Sequence, residues 1–193
     1  MITSPAMSSL LAFPVLQTAR LSLVPINPKH LEDIFKLFSD TRVTQFYNLH
    51  PFRQLHEAQH FIDYYAKRFQ EQKGVRWGIT IQGATKLIGT VGFNHFTPNH
   101  RSNIGYDLHP DYWNKGFMTE ALKRVIQFGM EQLQVNRIEA EVMPGNTSSI
   151  KVLEKLGFYR EAMLKDWMYF DQKHFDMYMF VLLRKKYEAM TIS

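Results

Sequence analysis

The sequence predicts an α/β domain whose central sheet is mixed and mostly antiparallel, with helices on both faces. Stretches with the apolar spacing of helices alternate with short runs rich in β-branched and aromatic residues, and three such runs follow one another in mid-chain. The length of 193 residues and the hydrophobic content of 45% suit one compact core. We therefore expect a single domain built around an antiparallel meander.

The amino-terminal segment differs from the rest of the chain. Residues 1–16 carry two prolines and several serines without a periodic pattern, so we expect a loose extension before one domain at 17–190. No apolar run reaches the roughly 20 residues that cross a bilayer, and the amino terminus lacks the basic start of a signal peptide. These features predict a cytoplasmic protein without membrane contact.

The predicted elements follow in order along the domain. A first strand is predicted at 20–25. Asn27 then caps a helix that begins with Pro28 and ends at Ser39. A second helix at 54–72 is predicted from one apolar stripe: Leu55, Ala58, Ile62, Tyr65 and Phe69. The remaining elements are meander strands at 77–81, 87–93 and 103–108, a helix at 117–133, a strand at 137–142, a short helix from Ser148, and two final strands separated by a turn at 171–173.

Composition excludes several classes of chemistry. The chain has no cysteine, which excludes disulfides, thiolate metal sites and a covalent acyl-cysteine intermediate. Its net charge of +5 and pI near 9.3 favour an anionic partner. The basic residues are scattered and no nucleic-acid-binding motif is present, so a phosphate-bearing small molecule explains the charge as well as RNA does.

Two segments carry the functional motifs. Residues 113–121 (Trp-Asn-Lys-Gly-Phe-Met-Thr-Glu-Ala) are predicted to form a loop that turns directly into a helix, where unpaired backbone N–H groups suit a phosphate. Gly116 permits a close backbone approach to that anion. Residues 146–158 combine an asparagine cap, a short helix, Gly157 at its end and a buried aromatic residue.

Together these segments resemble the GNAT family of acetyl-CoA-dependent N-acetyltransferases and, within it, the RimJ/RimL-like subgroup of ribosomal-protein N-acetyltransferases. The resemblance extends from Thr18 to the terminal strand near Val181. It implies the GNAT fold, in which two neighbouring parallel strands splay apart and the pantetheine arm of acetyl-CoA lies in the gap. Here these are the strand ending near Leu108 and the strand at 137–142.

The resemblance also implies which residues bind acetyl-CoA, while no metal is expected. Only Gly116 of the family's phosphate-loop pattern is retained, but such a loop works mainly through backbone N–H groups. Lys115 either adds a charge for the phosphates or is a solvated loop residue, and both interpretations stay open. The implied cofactor-binding residues are Leu108, Asn114, Lys115, Gly116, Phe117, Met118, Thr119, Asn146 and Ser149.

The implied general acid departs from the commonest family pattern. Where many members carry a tyrosine in the helix before Leu-Gly-Phe, this chain has Leu153. The subgroup carries a serine, here Ser149, that is proposed to protonate the departing CoA thiolate. A thiolate of parent pKa near 8.5 needs little help from an acid. The alternative is that Ser149 is a first-turn serine with only a capping role.

The general base is harder to assign. The subgroup's glutamate aligns with Met168, which cannot accept a proton. Asp166, His95 and Asp107 are candidates that structural roles also explain, and His95 is slightly favoured. A site without a strong base suits an α-amine: neutralising an amine of pKa about 8 at pH 7 costs roughly 1.4 kcal/mol, against roughly 4.6 kcal/mol for a lysine amine.

One helix contains a competing motif, H-E-x-x-H, at His56, Glu57 and His60. The core stripe of this helix leaves both histidines on a solvated flank, and no third ligand follows, so a zinc peptidase is disfavoured. A histidine pair that contacts substrate is the stronger alternative. The aromatic residues predicted to be core or cleft wall are Tyr106, Trp113 and Trp167.

The resemblance implies an enzyme that transfers acetyl from acetyl-CoA by direct attack of a primary amine, with the α-amine of a protein N-terminus preferred and ribosome contact possible. The alternatives are a small-molecule amine acetyltransferase, acting on an antibiotic or amino acid, and a non-catalytic acyl-CoA-binding module. Monomer and homodimer are both open. The predicted specificity loops at 41–53 and 96–102 carry no motif that identifies the acceptor.

Overall fold

The computed structural model describes residue 10 and residues 12–191. The strands in this part are β1 (Leu16–Gln17), β2 (Leu21–Pro25), β3 (Val75–Ile81), β4 (Leu87–Thr97), β5 (Arg101–Leu108), β6 (Arg137–Val142), β7 (Tyr159–Phe170) and β8 (Lys173–Leu183). The helices are α1 (Leu31–Ser39), α2 (Thr41–Thr44), α3 (Leu55–Gln70), α4 (Phe117–Glu131), α5 (Thr147–Lys155) and α6 (Arg184–Thr191). None of these described helices has both the length and the apolar character to cross a membrane.

The strands form one sheet in the order β1-β2-β3-β4-β5-β6-β8-β7. Neighbours are antiparallel except β5 and β6, which are parallel and pair only through Arg101–Asn103 and Arg137–Glu139. Strand β6 continues its pairing with β8 as far as Val142. From Ile104 onwards β5 is therefore unpaired on the side of β6, and the predicted splay is present.

Each face of the sheet carries its own apolar core, because successive strand residues point to opposite faces. On one face, α4 and α5 cover a core that includes the fully buried Trp77, Val91 and Ile138. On the other face, α1 and α3 pack around Ile34 and Leu87. The predicted α/β class, with a mostly antiparallel mixed sheet and helices on both faces, is confirmed.

Several local features differ from the predictions. Three elements were not predicted, β1, α2 and α6, and the first helix begins as a 3-10 turn at Pro28–His30 before α1. Helix α2 has only four residues and depends on a cap, in which Asp40 accepts from the Arg42 N–H at 2.9 Å. Leu55 is 47% exposed, so its predicted place in the buried stripe is wrong. Apolar spacing identifies a helix face but not how far along the helix that face is covered.

Part of the amino-terminal segment contacts the domain. The Leu10 N–H donates to Gln72 Oε1 at 2.9 Å, and the ring of Phe13 lies 5.0 Å from the ring of Phe69. The rest of the predicted extension, residues 1–9 and 11, lies outside the described residues. The predicted domain boundary stays a prediction.

Candidate active site

The loop between β5 and α4 ends in an anion-binding geometry. Gly116 is the N-cap of α4, and its φ of 76° lies in the left-handed region that glycine adopts without strain. The indole of Trp113 ties the loop to the end of β5 by donating to the Leu108 carbonyl at 2.7 Å. The Glu120 N–H donates to the Gly116 carbonyl at 3.0 Å. Within the described chain, the preceding N–H groups, from Asn114 to Thr119, have no hydrogen-bond acceptor and stand at the positive end of the helix.

Arg20 is a residue of this loop region that no motif indicated. Its Nη1 donates to the Lys115 carbonyl at 3.1 Å, and its guanidinium lies 4.5 Å from the centre of the Phe117 ring. Its Nε forms an ion pair with Glu120 at 2.6 Å. The Lys115 ammonium instead donates to the Asp111 carbonyl at 2.8 Å. Arg20 thus brings a half-exposed cation to the start of α4.

Alternate residues of β5 face opposite sides of the sheet and divide the site into two parts. Tyr106 and Leu108 belong to the core on the side of α4 and α5. Asp107 faces the other side, where it bonds Arg76 of β3. The Arg76 guanidinium lies 5.3 Å from the ring centre of Tyr65 in α3, which places this second part beside α1 and α3.

Two hydroxyl groups meet on the side of α5. Tyr106 Oη and Ser149 Oγ lie 2.7 Å apart, within hydrogen-bond distance. The Ser149 N–H donates to Asn146 Oδ1 at 3.1 Å, so Asn146 caps α5 and fixes its first turn. Burial raises the pKa of Tyr106, with the Ser149 hydrogen bond opposing it, and the phenol stays protonated at neutral pH. Ser149 therefore has a proton-bearing partner in addition to its place in the helix.

Two of the candidate bases, Asp107 and Asp166, differ in their surroundings. The side chain of Asp107 is 1% exposed, forms an ion pair with Arg76, and accepts from Thr90 Oγ1 at 2.9 Å. Its charge is compensated by a buried cation. Asp166 is exposed at an irregularity of β7, and its N–H donates to Asp176 Oδ1 at 3.1 Å. The Asp107 carboxylate is therefore engaged in a buried ion pair, whereas the Asp166 side chain is exposed on β7.

The third candidate, His95, lies on β4 near the splay. Burial and the nearby Arg101 lower the pKa of His95, while Glu139 and Glu141 oppose that shift. The imidazole is therefore neutral at pH 7. These glutamates alternate along β6 with residues of the α4 and α5 core, so His95 and Ser149 lie on opposite sides of the sheet.

An open cleft of about 510 Å³ lies on the carboxyl side of β6. It is formed by the segment after α1, the residue that follows β6, and the turn between β7 and β8. Its lining residues include Thr44, Tyr47, His50, Met143, Phe170 and Lys173. One of the two predicted specificity loops, 41–53, therefore lines a cleft whose volume suits a small molecule or a chain end.

The H-E-x-x-H residues do not form a metal site in the structure. Glu57 accepts from the N–H groups of Arg53 and Gln54 at 2.7 and 2.8 Å, and so caps α3. His56 and His60 are exposed, with ring centres 5.5 Å apart. Among the described residues, no group of three or more His, Asp or Glu is placed to hold a metal ion.

Comparison with known proteins identifies the family. The profile of the acetyltransferase (GNAT) domain matches residues 20–159. The uncharacterized N-acetyltransferase YoaA of Bacillus subtilis (strain 168) is 35% identical over 175 residues, which cover 90% of this chain and 99% of YoaA. The solved GNAT-family acetyltransferase of Bacillus anthracis has a TM-score of 0.79 at 24% identity and covers 89% of this chain and 99% of its own. RimL was solved as a ribosomal L7/L12 alpha-N-protein acetyltransferase in complex with coenzyme A. It has a TM-score of 0.79 at 18% identity, and the match covers 88% of this chain and 98% of the RimL chain.

These matches agree with the splayed sheet and with the free N–H groups at the start of α4. The profile spans the phosphate loop and the α5 motif, and YoaA is similar over almost its whole length. The chain belongs to the GNAT family and is an N-acetyltransferase.

Proposed function

We propose that this protein transfers the acetyl group of acetyl-CoA directly to the α-amine of a protein N-terminus, in the manner of the RimJ/RimL-like subgroup. The observation that carries the proposal is the pair of hydroxyls on Tyr106 and Ser149, 2.7 Å apart beside the splayed strand β5. This pair of hydroxyls supplies a proton donor on the side of the sheet where α5 begins. The chain has no cysteine for an acyl-enzyme, so transfer is direct or uses another nucleophile, and we propose that amine and acetyl-CoA react directly in one ternary complex.

The residues present fit acetyl-CoA. The unpaired N–H groups of Asn114 to Thr119 and the cation of Arg20 suit its pyrophosphate. The unpaired edge of β5 from Ile104 to Leu108 suits the amide groups of the pantetheine arm, which hydrogen-bond as a strand does. Asn146 orients the first turn of α5 toward the thioester end. Acetyl-CoA supplies the thioester whose carbonyl carbon is attacked and whose sulfur leaves as a thiolate.

Ser149 gives the departing sulfur its proton. Its hydroxyl is a neutral donor, and Tyr106 keeps its own proton available to replace the one that Ser149 gives. A thiolate of parent pKa near 8.5 is stabilised by such a hydroxyl without a stronger acid. Ser149 therefore acts as the acid, and Tyr106 positions and reprotonates it.

The groups near the splay favour an acceptor amine of low pKa. The lowered pKa of His95 makes it a weak base, and carboxylates are weaker bases still. At pH 7 roughly one in ten α-amines of pKa about 8 is neutral, against fewer than roughly one in a thousand lysine amines. The open cleft of about 510 Å³ also accommodates a chain end. The structural neighbour RimL is described as an alpha-N-protein acetyltransferase.

The proposal extends to a cytoplasmic ribosomal acceptor. The net charge of +5 attracts an RNA-rich particle even without a base-reading motif. A ribosomal protein presents a free α-amine next to such a particle, so general electrostatic attraction raises the local concentration of the acceptor.

The test compares acceptors and two serine variants in an assay of CoA thiol release. The acceptors are peptides with a free N-terminus, N-acetylated peptides that contain lysine, and small amines. We expect turnover of the α-amines alone. Ser149→Ala lowers kcat by roughly a hundredfold, the lower end of the range for general-acid catalysis. Ser148→Ala removes a neighbouring exposed hydroxyl of α5 and leaves kcat unchanged.

Three results would contradict the proposal. Faster turnover of internal lysine than of α-amines contradicts the preference for an acceptor amine of low pKa. A ping-pong pattern with a trapped acetyl-enzyme removes direct transfer. Turnover of small amines without turnover of peptides favours the alternative, a small-molecule amine acetyltransferase.

A further inference from the structure

Strand β7 carries a concentration of exposed apolar side chains. Four of the nine large apolar side chains that stand exposed in the described part of the chain lie on this strand: Tyr159, Met163, Trp167 and Tyr169. Strand β7 is also the edge of the sheet, since β8 is its one neighbour among the described strands. A long edge strand with exposed apolar side chains is a surface on which another strand can pair.

Two charged side chains of β7 have no ion-pair partner among the described residues. Arg160 and Asp166 are both exposed, and neither forms a salt bridge within residues 10 and 12–191. The other two charges of the strand, on Glu161 and Lys165, each form an ion pair with a residue of another strand. The charges of Arg160 and Asp166 are therefore available to a partner.

The free charges and the aromatic residues of β7 are arranged symmetrically about Met163. Arg160 and Asp166 each lie three residues from Met163, and Tyr159 and Trp167 each lie four residues from it. When two copies of one strand pair antiparallel across a two-fold axis, residues at equal distances from the axis lie opposite each other. An axis at Met163 therefore places Arg160 against Asp166 of a second copy, and Tyr159 against Trp167 of that copy.

The two aromatic side chains lie on the same side of the sheet, as this contact requires. Tyr159 is opposite Val181 in the ladder with β8, and Val181 alternates with core residues beneath α4 and α5, so Tyr159 faces the other side. The Trp167 indole donates to Glu141 Oε2 at 3.0 Å on that same side. A two-fold axis perpendicular to the sheet keeps each residue on its own side, so the two rings pack across the interface.

The centre of this pairing is a regular part of β7. Irregularities interrupt the ladder with β8 on both sides of Ala162–Leu164. Irregularities of this kind shorten the stretch over which an edge can pair. Backbone pairing is therefore limited to a few residues around Met163, and the flanking side chains supply the rest of the association. We accordingly expect a Kd for the dimer in the micromolar range.

We propose that two copies of this chain associate through β7, antiparallel and with the two-fold axis at Met163, so that their sheets join into one. The partner is a second copy rather than an unrelated strand, because the free charges and the exposed aromatic residues of β7 complement β7 itself. In the sheet order, β6 and β8 separate β7 from β5, so the unpaired edge of β5 lies away from the interface. The inference does not depend on the identity of the acceptor.

The test is sedimentation equilibrium of the full chain from about 1 to 100 µM. Met163→Asp places two carboxylates against each other at the axis. Leu55→Asp is the matched control, because Leu55 is 47% exposed against 44% for Met163 and lies on α3. A charge exchange tests the register: Arg160→Glu and Asp166→Lys are measured singly and together. Thermal unfolding of each variant shows whether it is folded.

We expect the wild type to approach a mass of twice 22.8 kDa at the highest concentration. Met163→Asp raises the dissociation constant at least roughly a hundredfold, whereas Leu55→Asp leaves it unchanged. Each single charge variant raises it roughly tenfold, since two exposed ion pairs become two contacts between like charges. The double variant returns to within roughly threefold of the wild type, because the ion pairs form again with reversed sign.

A wild type that stays at 22.8 kDa over the whole range would overturn the inference. A dimer that Met163→Asp leaves intact, or that Leu55→Asp weakens equally, would place the interface elsewhere on the molecule. A double charge variant that associates no better than the single variants would show that Arg160 and Asp166 do not meet, which contradicts an axis at Met163. The charge exchange also decides the question if Met163→Asp does not fold.

Discussion

Ser149 and Tyr106 are 43 residues apart in the chain, yet their hydroxyls meet beside the splay. The sequence indicates Ser149 through its motif, whereas Tyr106 is predicted only as core or cleft wall. The pairing depends on how β5 and α5 pack, which no local pattern encodes. At the scale of single residues, the proposed acid is therefore a pair of hydroxyls rather than one side chain.

A double-mutant cycle tests this pair. Tyr106→Phe keeps the half-buried ring and removes only the hydroxyl, so we expect kcat to fall roughly fivefold, which corresponds to one neutral hydrogen bond. In the Ser149→Ala background, Tyr106→Phe does not lower kcat further, because the Ser149 hydroxyl that pairs with Tyr106 is already absent. Steady-state kinetics on a peptide with a free N-terminus measures both steps. Additive losses would show that the two hydroxyls act independently.

Helix α4 contributes to the site through its end rather than through its side chains. Its 15 residues align their peptide dipoles with the positive end at the loop before α4, and the N-cap Gly116 has a left-handed φ of 76°. Arg20, from the start of the domain, holds the Lys115 carbonyl and so fixes the loop from outside the helix. In the proposed complex, this helix end binds through a loop in which Asn114 and Gly116 both have left-handed backbone angles.

Gly116→Ala tests that dependence, with Gly83→Ala as its control. Both glycines have positive φ, 76° and 80°, and a methyl group meets no close backbone atom at either one. Each substitution costs about 1 kcal/mol of stability from backbone strain. Only Gly116→Ala weakens CoA binding, because only that strain lies in the phosphate loop. Chemical denaturation and CoA titration measure the two quantities, and equal CoA affinity for both variants would contradict the prediction.

The sequence predicts the regular elements better than the contacts between them. The strand at Arg137–Val142 has the predicted bounds, because its apolar and polar residues alternate strictly. Helix α2 and strand β1 are too short to show a period. Arg20 contacts Lys115 and Glu120, which are far away in the chain, so its residue type alone does not indicate its place beside the loop.

The buried pair of Arg76 and Asp107 ties the meander together. Arg76 of β3 bonds Thr90 of β4 at 3.0 Å, and Asp107 of β5 bonds both. Arg76 Nη2 also lies 3.5 Å from Tyr47 Oη, which connects this network to the cleft wall. At the scale of the whole molecule, the network joins three strands beneath α1 and α3.

Asp107→Asn tests whether this carboxylate serves stability or catalysis. Removing one partner leaves the charge of Arg76 buried and uncompensated, so we expect the free energy of unfolding to fall by about 3–5 kcal/mol. Asp63→Asn, on the exposed surface of α3, leaves it unchanged. Urea denaturation measures the loss. A variant of full stability that has lost activity would instead assign Asp107 to the chemistry.

Three residue pairs between β5 and β6 hold two smaller sheets together, one from β1 to β5 and one from β6 to β8. In the proposed complex the pantetheine arm lies along the edge of β5 beyond these three pairs, and it supplies hydrogen bonds that are absent there between β5 and β6. A ligand that binds only the folded state at a hundredfold its Kd adds about 2.7 kcal/mol of stability. The cosubstrate is then also a structural component, and the lifetime of this protein against proteolysis rises and falls with the cell's supply of CoA thioesters.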